Sequence, residues 1–164
     1  MSVADIIQLI MLSAIILQLY LAYKAFKADH ERRRKQATFE FINAVSERYR
    51  KALNDFDTKH GLGKVVDISD YSGDDYFTVK SYLSEIERIC AGVNSEVFDY
   101  DILRKMMAGN LITSNDRFRQ HINNARITRN NKKLYIEFDK VANKLRADRS
   151  KETPYDNIGQ MRHD

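Results

Sequence analysis

The sequence predicts an all-α protein: an N-terminal transmembrane helix that continues into a small bundle of four or five helices. Three observations carry this. The 164 residues contain one proline and six glycines, too little punctuation for strands and tight turns, and no dense β-branched alternation is present. Apolar residues recur at three- and four-residue spacing in several segments. The first quarter is strongly apolar although the mean hydropathy of the chain is −0.53, so one average covers two solvents. Length sets an expectation of one domain plus appendages. Nine Tyr and eight Phe, with no Trp, supply aromatic mass for a modest core.

The anchor comes first. Ile6 to Phe26 reads IIQLIMLSAIILQLYLAYKAF and holds no ionisable charge before Lys24 other than tyrosine hydroxyls. Roughly 20 helical residues at about 1.5 Å each span a hydrocarbon core. A buried core helix of this length would need a larger protein around it. An interfacial helix would need a charged face, which is missing. A secretory signal would begin with positive charge, but the only early charged side chain is Asp5, and no small-x-small cleavage site follows.

Orientation follows from the run FKADHERRRKQATF. Lys24, Lys27, Arg32, Arg33, Arg34 and Lys35 crowd one end of the anchor, and such charge is retained on the cytoplasmic side. The expected placement is therefore single-pass, with the N-terminus outside and the C-terminal domain cytoplasmic. Tyr20 and Tyr23 fit the inner interface, and the basic run fits anionic headgroups. Ala14, Gln18 and Ala22 recur at four-residue spacing, a pattern that lets helices approach and hydrogen-bond in lipid. A homo-oligomer is the expectation from that face, against the plainer one that it meets lipid.

The remaining elements follow in order. The apolar stripe of Phe41, Val45, Tyr49, Ala52 and Phe56 continues the helix to the glycines of HGLGK, with Gly61 as its C-cap. Residues 65–76 read as a loop. A helix then carries Val79, Leu83, Ile86, Cys90 and Val93 inward, widened by Tyr82 and Ile89, with Lys80, Ser84, Glu87 and Arg88 facing away and Asp74 or Asp75 at its start. A short helix follows, capped by Asp99 and stopped at Gly109, with Phe98, Ile102, Leu103, Met106 and Met107 as core. A weaker helix spans 114–129 with Phe118, Ile122 and Ala125. Asn131 opens the last, which buries Leu134, Phe138, Val141 and Leu145. The organisation is thus 1–26 tail and anchor, 27–60 basic region and long helix, 61–149 remaining bundle, and 150–164 disordered tail.

Charge is polarised. Residues 24–35 carry net +4, residues 36–103 net −6, and residues 104–151 net +9. Such polarity bears on partners and surfaces rather than on fold. Arg117, Arg126, Arg129, Lys132, Lys133, Lys140 and Lys144 form a candidate basic surface, with Lys133, Lys140 and Lys144 expected on one helix face. It fits phosphates, the inner leaflet, or the acidic middle of another copy. A solvated charged face is the plainer reading. Nucleic acid is open but not favoured, since no base-reading motif is present.

Catalytic constellations are missing. GLGK lacks the P-loop glycine five residues earlier, where Thr58 stands, and Val65 occupies the magnesium-binding position. DISDYSGDD fails as a calcium loop because Ser72 replaces the required glycine. His30, His60, His121 and His163 lack metal-ligand spacing. Cys90, the only cysteine, excludes an internal disulfide and sits on an apolar stripe as an inert thiol. No cofactor and no metal is expected, and the reading is non-enzymatic.

YLSEIERICAGV, Tyr82 to Val93, followed by FDYDILRKMM, Phe98 to Met107, resembles a bacterial family of short single-pass membrane proteins whose cytoplasmic domain has no assigned function. The resemblance spans roughly residues 5–147. It implies a bacterial or phage-related inner-membrane protein and brings no active site. The expected function is a membrane-tethered helical interaction module that self-associates or docks a cytoplasmic protein partner. The alternatives are a self-assembling membrane effector or toxin of a defence or prophage system, and a membrane-bound nucleic-acid binder.

Overall fold

The computed structural model describes residues 2–151. Five α-helices make up the fold: α1 (Val3–His60), α2 (Gly73–Asn94), α3 (Tyr100–Arg117), α4 (Arg119–Thr128) and α5 (Ile136–Lys151), with a 3-10 turn at Ile68–Asp70. No strand occurs among the described residues. This is the predicted all-α class, a long apolar N-terminal helix followed by a bundle.

α1 is one unbroken helix of 58 residues, about 87 Å long. Ser2 and Asp5 close a capping box at its start, and Gly61, at φ +90, ends it, a conformation that favours glycine. Its first buried residue is Thr38. Everything before Thr38 except Arg34 is exposed, so the helix has an apolar length, a charged length and a packed length in series.

Contacts fix the bundle. Arg48 meets Glu85 at 3.3 Å and Phe41 meets Phe98 at 5.2 Å between ring centres, so α2 runs antiparallel to α1. Arg34 meets Asp99, and Arg117 meets Asp57, so α3 runs parallel to α1. Asn115 bonds Asp139 and Tyr100 bonds Asp148, so α5 returns antiparallel to α3. α1 packs on α2 and α3, and α5 packs on both of these. The four helices therefore form a ring, with α4 as the crossover between α3 and α5. Val79, Leu83, Ile86, Leu103, Leu111, Phe138 and Val141 fill its centre, each 0% exposed. The α2–α3 loop, the start of α3 and the end of α5 lie at the end nearer the apolar N-terminal length of α1.

Several boundaries differ from expectation, each for a local reason. α2 starts at Gly73 with Ser72 as N-cap. Asp75 completes the capping box, and Asp74 sits in the first turn rather than at the cap. α3 runs through Gly109 to Arg117, because an interior glycine costs a helix only about 1 kcal/mol and packing outweighs that. The chain bends at Phe118, which ends α3, begins α4 and is buried at 1% exposure. Asn131 accepts from the Lys133 backbone N–H at 3.0 Å in a turn. α5 therefore begins only at Ile136, after Tyr135 at φ +58. Met106 is exposed rather than core, whereas Met107 is buried. Of the expected disordered tail 150–164, residues 150 and 151 are helical, and the rest lies outside the described residues.

Candidate membrane-proximal interface

Val3 to Phe26 projects apolar side chains on every side. One 18-residue window within α1 has a mean hydropathy of 2.0 and is 0% buried. A helix that is apolar all round and packs against nothing is long enough to cross a bilayer. Ala14, Gln18 and Ala22 lie exposed along one line of this segment. Lys24 places its ammonium 5.6 Å from the centre of the Tyr20 ring, a cation–π geometry with both groups at the anchor's charged end. Tyr23 is exposed beside them.

The basic run divides in two. Lys27, Arg32, Arg33 and Lys35 are exposed, with Arg33 paired to Asp29 at 2.7 Å one turn back. Arg34 points the other way. Its guanidinium lies 3.1 Å from the Asp99 carboxylate, whose side chain is 5% exposed. Thr38 completes the joint: its hydroxyl accepts from the Asp99 backbone N–H at 2.7 Å and donates to the Arg34 carbonyl at 2.7 Å. Asp99 also accepts from the Ile102 backbone N–H at 3.1 Å as the N-cap of α3. Burial would raise the Asp99 pKa, but the Ile102 N–H and Arg34 outweigh it and hold the carboxyl below its usual range. Arg34, expected at headgroups, thus fastens the charged length of α1 to the bundle.

The candidate basic surface does not form one patch. Arg117 is 6% exposed. It bonds Asp57 and the Gly61 carbonyl, and its guanidinium lies against the rings of Phe56 and Phe118 at 4.8 and 5.4 Å. It is an interior strut and leaves the surface set. Arg126 bonds the Leu134 carbonyl at 2.8 Å and pairs with Asp139, so it ties α4 to α5. Arg129, Lys132 and Lys133 are exposed at the α4–α5 turn. Lys133 precedes α5, so it shares no helix face with Lys140 and Lys144. Lys140 pairs with Glu137 at 2.7 Å. Lys144 lies 3.7 Å from the Tyr100 ring centre, near the anchor end.

Groups with chemical potential elsewhere are used for packing. Cys90 is 0% exposed, and burial pushes its thiol pKa up. Asp67 accepts from the Ser69 N–H in the 3-10 turn. Asp75 binds Ser72, Lys59 and His60, and these bonds hold its carboxyl low against the opposing effect of burial. His121, at 2% exposure, stacks on Tyr71 with ring centres 5.8 Å apart. Its pKa is lowered by burial first, then by Arg129 and Lys80. No group of three or more His, Cys, Asp or Glu able to hold a metal occurs among the described residues.

Two structural residues escaped the sequence reading. Glu87, read as facing away, accepts from the backbone N–H groups of Glu137 at 3.1 Å and Phe138 at 2.7 Å. It caps α5 from another helix, 50 residues away, and only tertiary structure reveals such a cap. Gly92, inside α2, lies against Phe98: a Cβ there would stand 2.7 Å from Cε2 of that ring. The signal for it was the glycine itself within an otherwise unbroken helical stripe.

A family model described as "Domain of unknown function (DUF4760)" matches residues 8–145. The match covers the apolar segment, the joint and nearly all of the bundle. No curated protein and no solved structure matches the chain.

Proposed function

We propose that this chain, which belongs to the DUF4760 family, is a non-enzymatic, membrane-tethered helical module. It acts at the bacterial inner membrane by self-association or by docking a cytoplasmic partner. The observation that carries this reading is the continuity of α1. One helix holds a wholly exposed apolar length and, from Thr38 to Phe56, four buried residues of the bundle. With no hinge between them, an anchor and a folded domain form one lever. Tethering raises the effective concentration of the domain for weak contacts.

The basic run orients the lever with the bundle on the cytoplasmic side. The use of Cys90, His121 and the aspartates in packing supports a binding rather than a catalytic role. The self-assembling effector draws on the Ala14, Gln18 and Ala22 line, where Gln18 would hydrogen-bond between copies.

The test is purification of tagged full-length protein from native membranes in gentle detergent, with mass and composition read on the eluate. A second protein at fixed ratio supports docking. A defined multiple of this chain alone supports self-association, and its loss in Gln18→Leu would assign the contact to the anchor. A lone monomer in the eluate overturns the proposal.

A further inference from the structure

α3 and α5 run antiparallel, and a groove of about 290 Å³ lies between them. Its floor is apolar. Ala108 and Ile112 on α3 are half-buried, and Leu145 on α5 is 2% exposed. Its rim is basic. Arg104, Lys105 and Arg149 line it, and Lys105 and Arg149 are exposed. Asp148 is the acid among its described lining residues, and it already accepts from the Tyr100 hydroxyl at 2.7 Å. An apolar floor between exposed cations fits an acidic segment that carries apolar side chains.

The chain supplies such a segment where α5 ends. Residues 152–164 read ETPYDNIGQMRHD and carry three acids against one arginine. Tyr155, Ile158 and Met161 recur there at every third residue, more apolar pattern than a solvated tail requires. The segment follows directly on Lys151, the end of α5, and Leu145, Asp148 and Arg149 of that same helix line the groove. We propose that residues 155–158 fold back into the α3–α5 groove of their own chain, with Tyr155 and Ile158 on the apolar floor and Asp156 against Lys105 and Arg149. Length allows it. From Arg104 to Ile112 the groove runs about 12 Å along α3. A polyproline-II strand rises about 3.1 Å per residue and repeats every three, so residues 155–158 span the groove with Tyr155 and Ile158 on one side. Residues 152–154 are left for the reversal. Pro154 favours it, because a proline drives the residue before it out of helical conformation. The groove is then a peptide-binding site held by the chain's own C-terminal segment, in place of the disorder that composition suggests. A protein partner docking on this face has first to displace that segment.

The chain has no tryptophan, so Tyr155→Trp gives a single reporter in full-length protein purified in gentle detergent. Acrylamide quenching reads its exposure. The docked reporter is expected to be shielded, and quenching to rise about twofold or more in about 1 M salt and in Lys105→Glu/Arg149→Glu. Asp156→Lys should release it likewise. Asp156→Lys combined with Lys105→Glu/Arg149→Glu should restore the shielding, which a general loss of packing cannot mimic. A short bismaleimide added to Ala108→Cys/Asn157→Cys, with Cys90 buried, is expected to give a cross-linked product of monomer size. A reporter as open to acrylamide before charge reversal as after it overturns the proposal. So does a covalent dimer as the sole cross-linked product, which would place the segment on a neighbouring copy. Leu62, 83% exposed at the far end, supplies the control: a monomer-sized cross-link in Leu62→Cys/Asn157→Cys would show a freely ranging segment and overturn the docking as well.

Discussion

Arg34 and Asp99 stand 65 residues apart in the chain and 3.1 Å apart in the structure. The pair, with Thr38 bridging the two backbones, joins the charged length of α1 to the start of α3. Asp99 does two things at once: it caps a helix and neutralises a half-buried arginine. Asp99→Ala loses both and is expected to destabilise the bundle by about 2–3 kcal/mol. Asp99→Asn keeps an N-cap oxygen and loses only the charge, for about 1 kcal/mol. Thermal unfolding in detergent, followed by circular dichroism, measures both. Equal losses for the two variants would mean that the cap contributes nothing.

Two interior glycines are expected to respond with opposite sign. Helix propensity alone says that Gly→Ala stabilises by up to about 1 kcal/mol. Gly109 has nothing within 4 Å of an added Cβ, so Gly109→Ala should realise that gain. At Gly92 the new methyl would collide with the Phe98 ring, which packs on Phe41. Overpacking there costs about 1–3 kcal/mol. The same melts decide it, and a stabilising Gly92→Ala would show that Phe98 moves aside freely.

These glycines also mark what the sequence could and could not disclose. The stripes of α2 were legible because period is a local property: all seven of its expected inward residues are buried. Gly61 as a cap and Asp99 as a cap were legible for the same reason, since each acts within one turn. Gly109 misled because its cost is small and the helix around it is held by Leu103, Met107 and Leu111. Arg117 misled because charge suggests solvent, whereas Asp57, Phe56 and Phe118 reach it only after α1 and α3 have packed. A basic surface read from one stretch of chain was thus partly interior.

The buried imidazole of His121 makes stability depend on pH. Its folded-state pKa is depressed by burial, with Arg129 and Lys80 adding to the effect, and its rings of contact are Tyr71 and Tyr76. As pH falls through the unfolded value of about 6.5, the unfolded chain takes up a proton that the folded chain resists. Stability is therefore fully present above that pH and declines below it, by at most about 1.4 kcal/mol per pH unit for one group. The lowered carboxyls of Asp75 and Asp99 act only in the lower range below about 4, so the two windows separate. Denaturant unfolding between pH 7.5 and 5 should show the slope in the parent and a flatter one in His121→Leu, whatever that variant does to absolute stability. An unchanged slope would assign the effect to another group.

The exposed length of α1 between its apolar segment and Thr38 can be used as a protractor. One alanine inserted after Lys27 turns the bundle by about 100° relative to the Gln18 face and lifts it by about 1.5 Å. Seven inserted residues return it to within roughly 20° and lift it by about 10 Å. If copies associate through anchor and bundle in one register, cysteine cross-links between bundles should be lost with one residue and restored with seven. Cross-links indifferent to the single insertion would show that the segment twists or bends in the full-length protein, and the rigid coupling that one unbroken helix implies would have to be given up.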